Sequence, residues 1–128
     1  MGSIIFNGKR INNVKFAITK DEQIQGLMGV RWPPPIMVFP YKKAAVKRFW
    51  MKDTPSPLDI IFCKANRVIY ITNGLPYNES FVGPTESCDL VIEGPVGFAD
   101  ENNIRIGSKI RAVYNQNELL KILLTKDQ

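Results

Sequence analysis

Histidine is absent from this sequence of 128 residues. The absence removes the commonest general base, every Ser-His or Cys-His pair that could activate a nucleophile, and most transition-metal sites. Catalysis would have to depend on carboxylates, lysines or tyrosines, which is a rarer arrangement. The composition therefore favours a protein that is not an enzyme, and it identifies no catalytic residue.

Cysteine is scarce as well, and its two occurrences are Cys63 and Cys88. The two thiols could pair or stay free, and Cys63 stands in an apolar run where a small buried hydrophobic residue would suit a strand. A structural zinc site needs about four cysteine or histidine ligands. The sequence therefore predicts neither a metal site nor a cofactor.

Long apolar runs are also missing. The longest, 58–63 and 119–124, each contain a charged residue and are far shorter than the roughly 20 residues that a spanning helix needs. The opening residues, Met-Gly-Ser-Ile-Ile-Phe, lack the basic region that precedes the apolar part of a secretory signal peptide. We therefore predict no membrane span, and no signal peptide is visible.

What is present indicates one small β-rich domain. Apolar residues make up 45% of the chain, enough for a single core in a domain of this length. Short alternating or apolar segments bounded by Gly, Pro and Asn predict strands. These lie at 4–6, 14–18, 36–39, 46–51, 57–62, 67–72, 90–93 and 109–114. The expected fold is mainly β, a barrel or a sandwich formed by residues 1–114.

Two helices are predicted beside the strands. Thr19 and Glu22 have the spacing of a capping box, so a helix should follow over 20–28 and end at Gly29. Asn115 and Glu118 repeat the pattern and predict a short helix in a C-terminal extension, 115–128.

The C-terminal helix has more large apolar residues than one face of a free helix can hold. They must be covered either by the domain itself or by a partner molecule. The segment 31–35 contains three consecutive prolines and is expected to lie extended on the surface. The candidate partner-binding residues are Trp32, Pro33, Pro34, Leu120, Leu123 and Leu124.

Three short motifs carry a family resemblance: Gly26-Leu27-Met28, Trp50-Met51-Lys52-Asp53-Thr54, and Pro57-Leu58-Asp59 followed by an apolar strand. Together they resemble the domain-of-unknown-function family numbered 192, over about Phe16 to Tyr114. Asp53 replaces the asparagine that is common there. The resemblance implies a fold more than an activity, because the family has no agreed biochemical function. Many relatives carry a secretory leader and leaderless ones occur among phage genes, which implies a cytoplasmic or virion-associated protein.

The candidate ligand-binding residues are Trp50, Lys52, Asp53, Asp59 and Glu93. Asp59 begins a buried strand, where it could pin the turn at 53–54 through backbone amides or act as a perturbed acid. A lysine with several carboxylates could form an acid–base set, or Asp53, Asp59 and Glu93 could bind a cation. Trp50 could pack in the core or lie over a groove for a sugar or a peptide.

Three functions follow from these observations. The first is a non-enzymatic structural or interaction module, such as a subunit of a phage particle, with a protein partner or self-assembly. The second is a small-ligand binder or a carboxylate-based hydrolase that uses a groove near Trp50, Asp59 and Glu93. The third is a weak nucleic-acid binder, suggested by the net charge of +5 and by basic residues at 42–52. Strand alternation places Lys42 and Arg48 opposite Lys43 and Lys47, which makes nucleic acid unlikely as a partner.

Overall fold

A computed structural model describes residues 2–125, in which eight strands and three short helices are found. In chain order they are β1 (Ser3–Phe6), β2 (Lys9–Ile11), β3 (Lys15–Phe16), α1 (Lys20–Gln25), β4 (Met37–Val46), β5 (Leu58–Lys64), β6 (Arg67–Gly74), β7 (Ser87–Pro95), α2 (Phe98–Glu101), β8 (Ile110–Val113) and α3 (Gln116–Leu124). The prediction of a mainly β fold with an early and a C-terminal helix is confirmed. The strands form two sheets rather than a closed barrel, so the domain resembles a sandwich.

The larger sheet has the strand order β3-β4-β7-β5-β6, and the smaller sheet has the order β2-β1-β8. All pairings are antiparallel except that between β3 and β4. The closing strand β8 returns to pair with β1, so both ends of the domain belong to the smaller sheet.

The larger sheet is covered on both faces by apolar side chains. On one face, Ile61 and Ile92 pack with Ile4 and Phe6 of the smaller sheet. On the other face, Phe62 and Val91 belong to a second cluster that α1 and the segment 49–56 cover. Six consecutive residues of β5, Leu58–Cys63, are buried, as expected for a strand that lies inside a sheet with two covered faces.

Several predicted boundaries were wrong. The strand expected at 36–39 continues to Val46 as β4, whose pairing with β7 shifts register between Pro40 and Ala45. Of the strand expected at 46–51, only Val46 belongs to it. In the segment after β4, Phe49 forms an isolated bridge with Val82. The helix expected over 20–28 ends earlier, at Gly26. The hairpin turn at Ala65 and Asn66 is confirmed, and both residues have positive φ, as such turns require.

Both predicted capping boxes are present, at Thr19 with Glu22 and at Asn115 with Glu118. The apolar residues of α3 nevertheless stay exposed: none of its residues is buried, and Leu123 and Leu124 are 71% and 82% exposed. Polar contacts hold the helix instead, through Lys121 Nζ, which lies 2.8 Å from Glu22 Oε2, and through Lys42, which donates to the carbonyls of Leu123 and Thr125. The domain itself therefore leaves Leu123 and Leu124 largely uncovered and covers Leu119 and Leu120 by about half.

The proline-rich segment is exposed only in part. Trp32 is 53% exposed and Pro33 is exposed, but Pro34 is buried. Pro34 therefore presents no surface to a partner, which corrects the expectation that the whole segment lies on the surface.

Cys63 and Cys88 are both buried and free. Within residues 2–125, no helix is long and apolar enough to cross a membrane.

We expect the double substitution Leu123→Gln/Leu124→Gln to change the free energy of unfolding by less than about 1 kcal/mol, because both side chains are exposed and glutamine has a similar helix propensity. Ile92→Ala, at a fully buried position, should cost about 2–4 kcal/mol. Urea unfolding of the three proteins at low concentration tests this. A loss above 2 kcal/mol in the double variant would mean that the leucines are buried in solution.

Candidate functional site

An open cleft of about 360 Å³ lies on the α1 side of the larger sheet. Its floor includes Phe39 and Glu93 from the neighbouring strands β4 and β7. One wall is α1 with the turn that follows it, and the other is the segment 47–50 together with Phe81. The second functional hypothesis expected Trp50, Asp59 and Glu93 to line one groove. Trp50 and Glu93 do line this cleft, and Asp59 does not.

The first wall is fixed to the sheet through Gln23 of α1. Its amide nitrogen Nε2 donates to the carbonyls of Ala17, at 3.0 Å, and of Pro40, at 3.1 Å. These two acceptors lie before α1 and on β4, so a single side chain holds the helix against the strand that forms part of the floor.

The turn after α1 brings the Gly26-Leu27-Met28 motif to the cleft. Gly26 has φ 45° and ψ −127°, a conformation that a residue with a Cβ atom rarely adopts. A Cβ atom there would lie 3.6 Å from Phe39 Cζ and 3.9 Å from Glu93 Oε1. The glycine thus ends the helix and lets the backbone pass close to the carboxyl group on the floor.

The second wall is built by a close approach of two chain segments. Phe49 exchanges two backbone hydrogen bonds with Val82, of 2.9 and 2.8 Å. At Gly83 a Cβ atom would lie only 2.5 Å from the carbonyl oxygen of Lys47, so the approach requires glycine. The rings of Trp50 and Phe81 stack with their centroids 5.0 Å apart, which gives this wall a flat aromatic surface.

Glu93 is the unusual residue of the cleft. It is 4% exposed and lies on the middle strand of the larger sheet, directly between Met37 of β4 and Ile60 of β5. No described residue donates a hydrogen bond to its carboxyl group or forms an ion pair with it. Since no fully enclosed side-chain oxygen within residues 2–125 lacks a partner, its oxygen atoms meet the solvent of the cleft. Burial of the side chain raises the pKa of Glu93 to about 8. The side chain is therefore a neutral acid at pH 7 whose oxygen atoms face the cleft.

Three cations surround the mouth of the cleft: Lys20, Lys47 and Arg48, which we call the cationic rim. Lys47 Nζ lies 4.0 Å from the ring centroid of Tyr41. In the described part of the chain, none of the three forms an ion pair with a carboxylate. The rim thus carries positive charge that the protein itself leaves uncompensated.

Lys52 and Asp53 support the cleft from outside rather than line it. Lys52 Nζ lies 5.3 Å from the ring centroid of Trp50. Asp53 adopts a left-handed φ of 55°, and its carbonyl accepts the amide of Gly29 at 2.8 Å. This bond ties the turn at 51–54 to the turn after α1, so two of the three sequence motifs fix each other beside the cleft.

Asp59 has a structural role, although with different partners from those expected. Its Oδ2 accepts the backbone amides of Gly97, at 3.1 Å, and Ala99, at 2.9 Å, and its Oδ1 accepts Asn73 Nδ2 at 2.7 Å. The expected bonds to the turn at 53–54 are not formed. The carboxylate instead caps α2, whose own N-cap residue, Gly97, has no side chain to do so.

The expected convergence of Asp53, Asp59 and Glu93 on a cation is wrong. Ile60 faces Glu93 across the β5–β7 pair, so Asp59, its neighbour in the strand, points to the opposite face of the sheet. The expected acid–base set of Lys52 with these carboxylates is not formed either, because Lys52 and Asp59 do not line the cleft that Glu93 faces. Within residues 2–125 no group of three or more carboxylate or thiol side chains is arranged to hold a metal ion.

Several lining residues were not identified from the sequence. Gly26 and its motif were assigned to the end of a helix and to the family resemblance. Of the cationic rim, Lys47 and Arg48 were considered as part of a basic run and Lys20 only as the start of a helix. Phe39, Tyr41 and Phe81 carry no local signal, because apolar residues on a strand or in a loop usually pack in a core. Their common position depends on the strand order, which linear spacing does not reveal.

We expect Asp59→Ala to lower the free energy of unfolding by about 2–4 kcal/mol, because it leaves two amides at the start of α2 without an acceptor and also removes the bond from Asn73. Urea unfolding measures the loss. Glu79→Ala, in an exposed loop, is the matched control and should stay within about 0.5 kcal/mol of the wild type. An equal, small effect for both variants would contradict the capping role.

Glu93→Leu should stabilise the protein, and more so at high pH. Since the pKa of Glu93 is about 8 in the folded chain and 4.5 in a free carboxyl group, the folded state binds more protons between these values, and the stability of the wild type falls as pH rises through this window. At pH 9 the variant should exceed the wild type by a few kcal/mol, on the order of 3.

Urea unfolding at pH 5, 7 and 9 measures this difference. Glu93→Gln, which keeps the shape and cannot ionise, should remove the same part of the pH dependence, whereas Glu79→Gln should keep it. A pH dependence identical in the wild type and Glu93→Gln would show that the carboxyl group is solvated or paired.

The solved structures include two similar ones. A protein of unknown function from Novosphingobium aromaticivorans DSM 12444 matches with a TM-score of 0.75 and 30% identity, over 86% of this chain and 82% of that one. A Sinorhizobium meliloti 1021 protein described as a "putative transcription regulator" matches with a TM-score of 0.77 and 23% identity, over 88% of this chain and 94% of that one. The second similarity is one of fold alone.

The family comparison agrees with the motifs. No curated protein matches this sequence. The family model of DUF192, described as "Uncharacterized ACR", matches residues 3–112, which is most of the chain and includes Glu93 and every element of the cleft. The chain therefore belongs to the DUF192 family.

Proposed function

We propose that this protein is a binding module for a small ligand that enters the cleft and makes a hydrogen bond with Glu93. The observation that carries the proposal is an acid on the central strand that is 4% exposed, faces an open cleft and has no partner within residues 2–125. Placing a carboxyl group on a buried strand costs free energy, because burial disfavours its charged form. An apolar residue would serve the sheet better, so the acid indicates a role outside stability.

The size and lining of the cleft support a small ligand. A volume of about 360 Å³ falls in the range of small-molecule pockets, which combine apolar walls with a few polar groups that set orientation. Here Phe39, Phe49 and Trp50 supply apolar surface, and Glu93 supplies a polar group at the floor.

A second cleft, of about 590 Å³, lies between β6 and the end of the smaller sheet. Two of its polar side chains have partners in the protein: Arg67 donates to the carbonyl of Gly107 and Asn7 donates to Ser108. No carboxyl group lines this second cleft, so it lacks the acid that distinguishes the first cleft and offers a matched control surface.

Binding is better supported than hydrolysis. The usual glycoside hydrolases need two carboxyl groups across the bond that is cleaved, and Glu93 is the single carboxyl group among the cleft residues. Asp59, which could have been the second, faces the other side of the sheet. Binding of nucleic acid is not proposed, because Lys42 is directed to the end of α3, away from the cleft. Lys47 and Arg48 both line the cleft, which corrects the expectation that they lie on opposite faces, because β4 ends at Val46.

A screen of small molecules by NMR tests the proposal. Mixtures of carboxylates, amines, sugars, amino acids and nucleosides are added to ¹⁵N-labelled protein, and we expect at least one compound to shift the amide signals of 26–28, 49–50 and 93. Glu93→Leu should remove these shifts while remaining folded. Arg67→Ala, in the second cleft, should retain them. Shifts that persist in Glu93→Leu, or no shifts with any compound, would contradict the proposal.

The exposed leucines of α3 favour a second role, as an interaction or structural module. Leu119 and Leu120 are about half exposed, Leu123 and Leu124 more so, and exposed apolar patches mark interaction surfaces. Native mass across concentration, for the wild type beside Leu123→Gln/Leu124→Gln, tests self-association. Assembly into a virus particle and a cytoplasmic or virion-associated location stay predictions from the family resemblance.

A further inference from the structure

We propose that the ligand of the cleft is a small organic carboxylate with a flat apolar body, whose anionic group lies at the cationic rim and whose second oxygen-bearing group reaches Glu93. This inference rests on the proposed binding function and adds the chemical class of the ligand. It depends on three features that the cleft combines: the charge of its mouth, the shape of its walls and the state of the acid at its floor.

The mouth selects for negative charge. Lys20, Lys47 and Arg48 come from two separate segments of the chain and converge on the same opening. None is neutralised by an acid in the described part of the chain, and Glu93 is the single acid that lines the cleft. Cations gathered at one opening attract an anion and repel a cationic ligand, such as an amine, before it can reach the floor.

The walls select for a flat apolar body. The ring of Phe49 meets Phe39 edge to face, with centroids 5.1 Å apart, and Trp50 stacks on Phe81. Leu27 and Met28 lie opposite, on the turn after α1. An aromatic or similarly flat group fits between such surfaces and buries apolar area without leaving polar atoms unpaired.

The floor selects for a hydrogen-bond acceptor. Glu93 is protonated at neutral pH because burial raises its pKa, so it can donate its O–H to a carbonyl or ether oxygen. Tyr41 of β4 also lines the cleft, and burial, followed by the charges of Cys88 and Glu93, raises its pKa. From the remaining elements, Met37, Phe39 and Ile60 face Glu93 without charge, and the rim cations stand at the mouth.

Three matched compounds test the inference: 4-acetylbenzoate, 4-acetylbenzamide and 4-acetylbenzylamine. They share the flat ring and the acceptor oxygen, and they differ in the charge at the other end. By NMR titration at pH 6.5 we expect the carboxylate to bind at least tenfold more tightly than the amide, and the amine to bind least. Equal affinity for the carboxylate and the amide, or tightest binding of the amine, would overturn the inference.

Two variants and a pH series locate the two contacts. Lys20→Gln/Arg48→Gln should weaken binding of the carboxylate about tenfold and leave the affinity for the amide unchanged. Arg67→Gln/Lys109→Gln, in the second cleft, should change neither affinity.

Raising the pH from 6.5 to 9 should weaken binding of the carboxylate to the wild type about tenfold, because about one-tenth of Glu93 is then protonated. Glu93→Gln, which keeps an N–H donor, should bind equally at both pH values. Binding to the wild type that does not change with pH would overturn the role of Glu93 as donor.

The results separate this inference from the proposed function. If amines or neutral sugars from the screen shift the cleft signals and 4-acetylbenzoate does not, the cleft binds ligands and the anion assignment is wrong. If no compound shifts these signals, both fail. If 4-acetylbenzoate binds equally well to the wild type and to Lys20→Gln/Arg48→Gln, the cationic rim does not contribute to recognition of its negative charge, and the inference is overturned.

Discussion

Burial of the larger sheet on both faces is the constraint on which the rest of the structure depends. Strand β7 runs through the middle of this sheet, between β4 and β5, so the side chains at its centre, 90–92, enter one of two apolar clusters. Ile92 enters the cluster under the smaller sheet and Val91 enters the one under α1. Glu93 points to the same face of the sheet as Val91, but its carboxyl group is polar and does not suit an apolar core. The cleft exists because the covering layer of α1 and the segment 49–56 stops short of closing over this residue.

The family motifs have two structural roles, one beside the cleft and one on the opposite face of the larger sheet. The turns at 26–30 and 51–54 hold each other through the bond from Gly29 to Asp53 and a second bond from Ser56 to the carbonyl of Val30, and together they form the side of the cleft. Asp59 works on the other face, where it caps α2 and orders the connection to the closing strand. Two acids close together in the sheet, Asp59 and Glu93, thus have opposite environments: one is fully paired and the other faces an open space.

The sequence predicted what is decided locally. Both capping boxes, the turn at Ala65 and Asn66 and the strands β5 and β6 follow from residues within a few positions of one another. The extent of β4 did not follow, because its proline suggested an end, whereas the sheet tolerates it at an irregularity in the pairing. The partners of Asp59 lie about 40 residues further along the chain. The meeting of Trp50 with Glu93 depends on the strand order, which no local pattern encodes.

Gly26 has a consequence for anyone who wishes to redesign the cleft. The backbone conformation at this position disfavours other residues, whereas a Cβ atom would itself lie at ordinary contact distances, 3.6 Å from Phe39 Cζ and 3.9 Å from Glu93 Oε1. The distance between the turn and the acid is therefore set by the main chain, and it cannot be tuned gradually by exchanging one side chain for another. Ligand preference can vary instead at Met28, Trp50 or Phe81 and at the cationic rim, whose side chains are at least partly exposed.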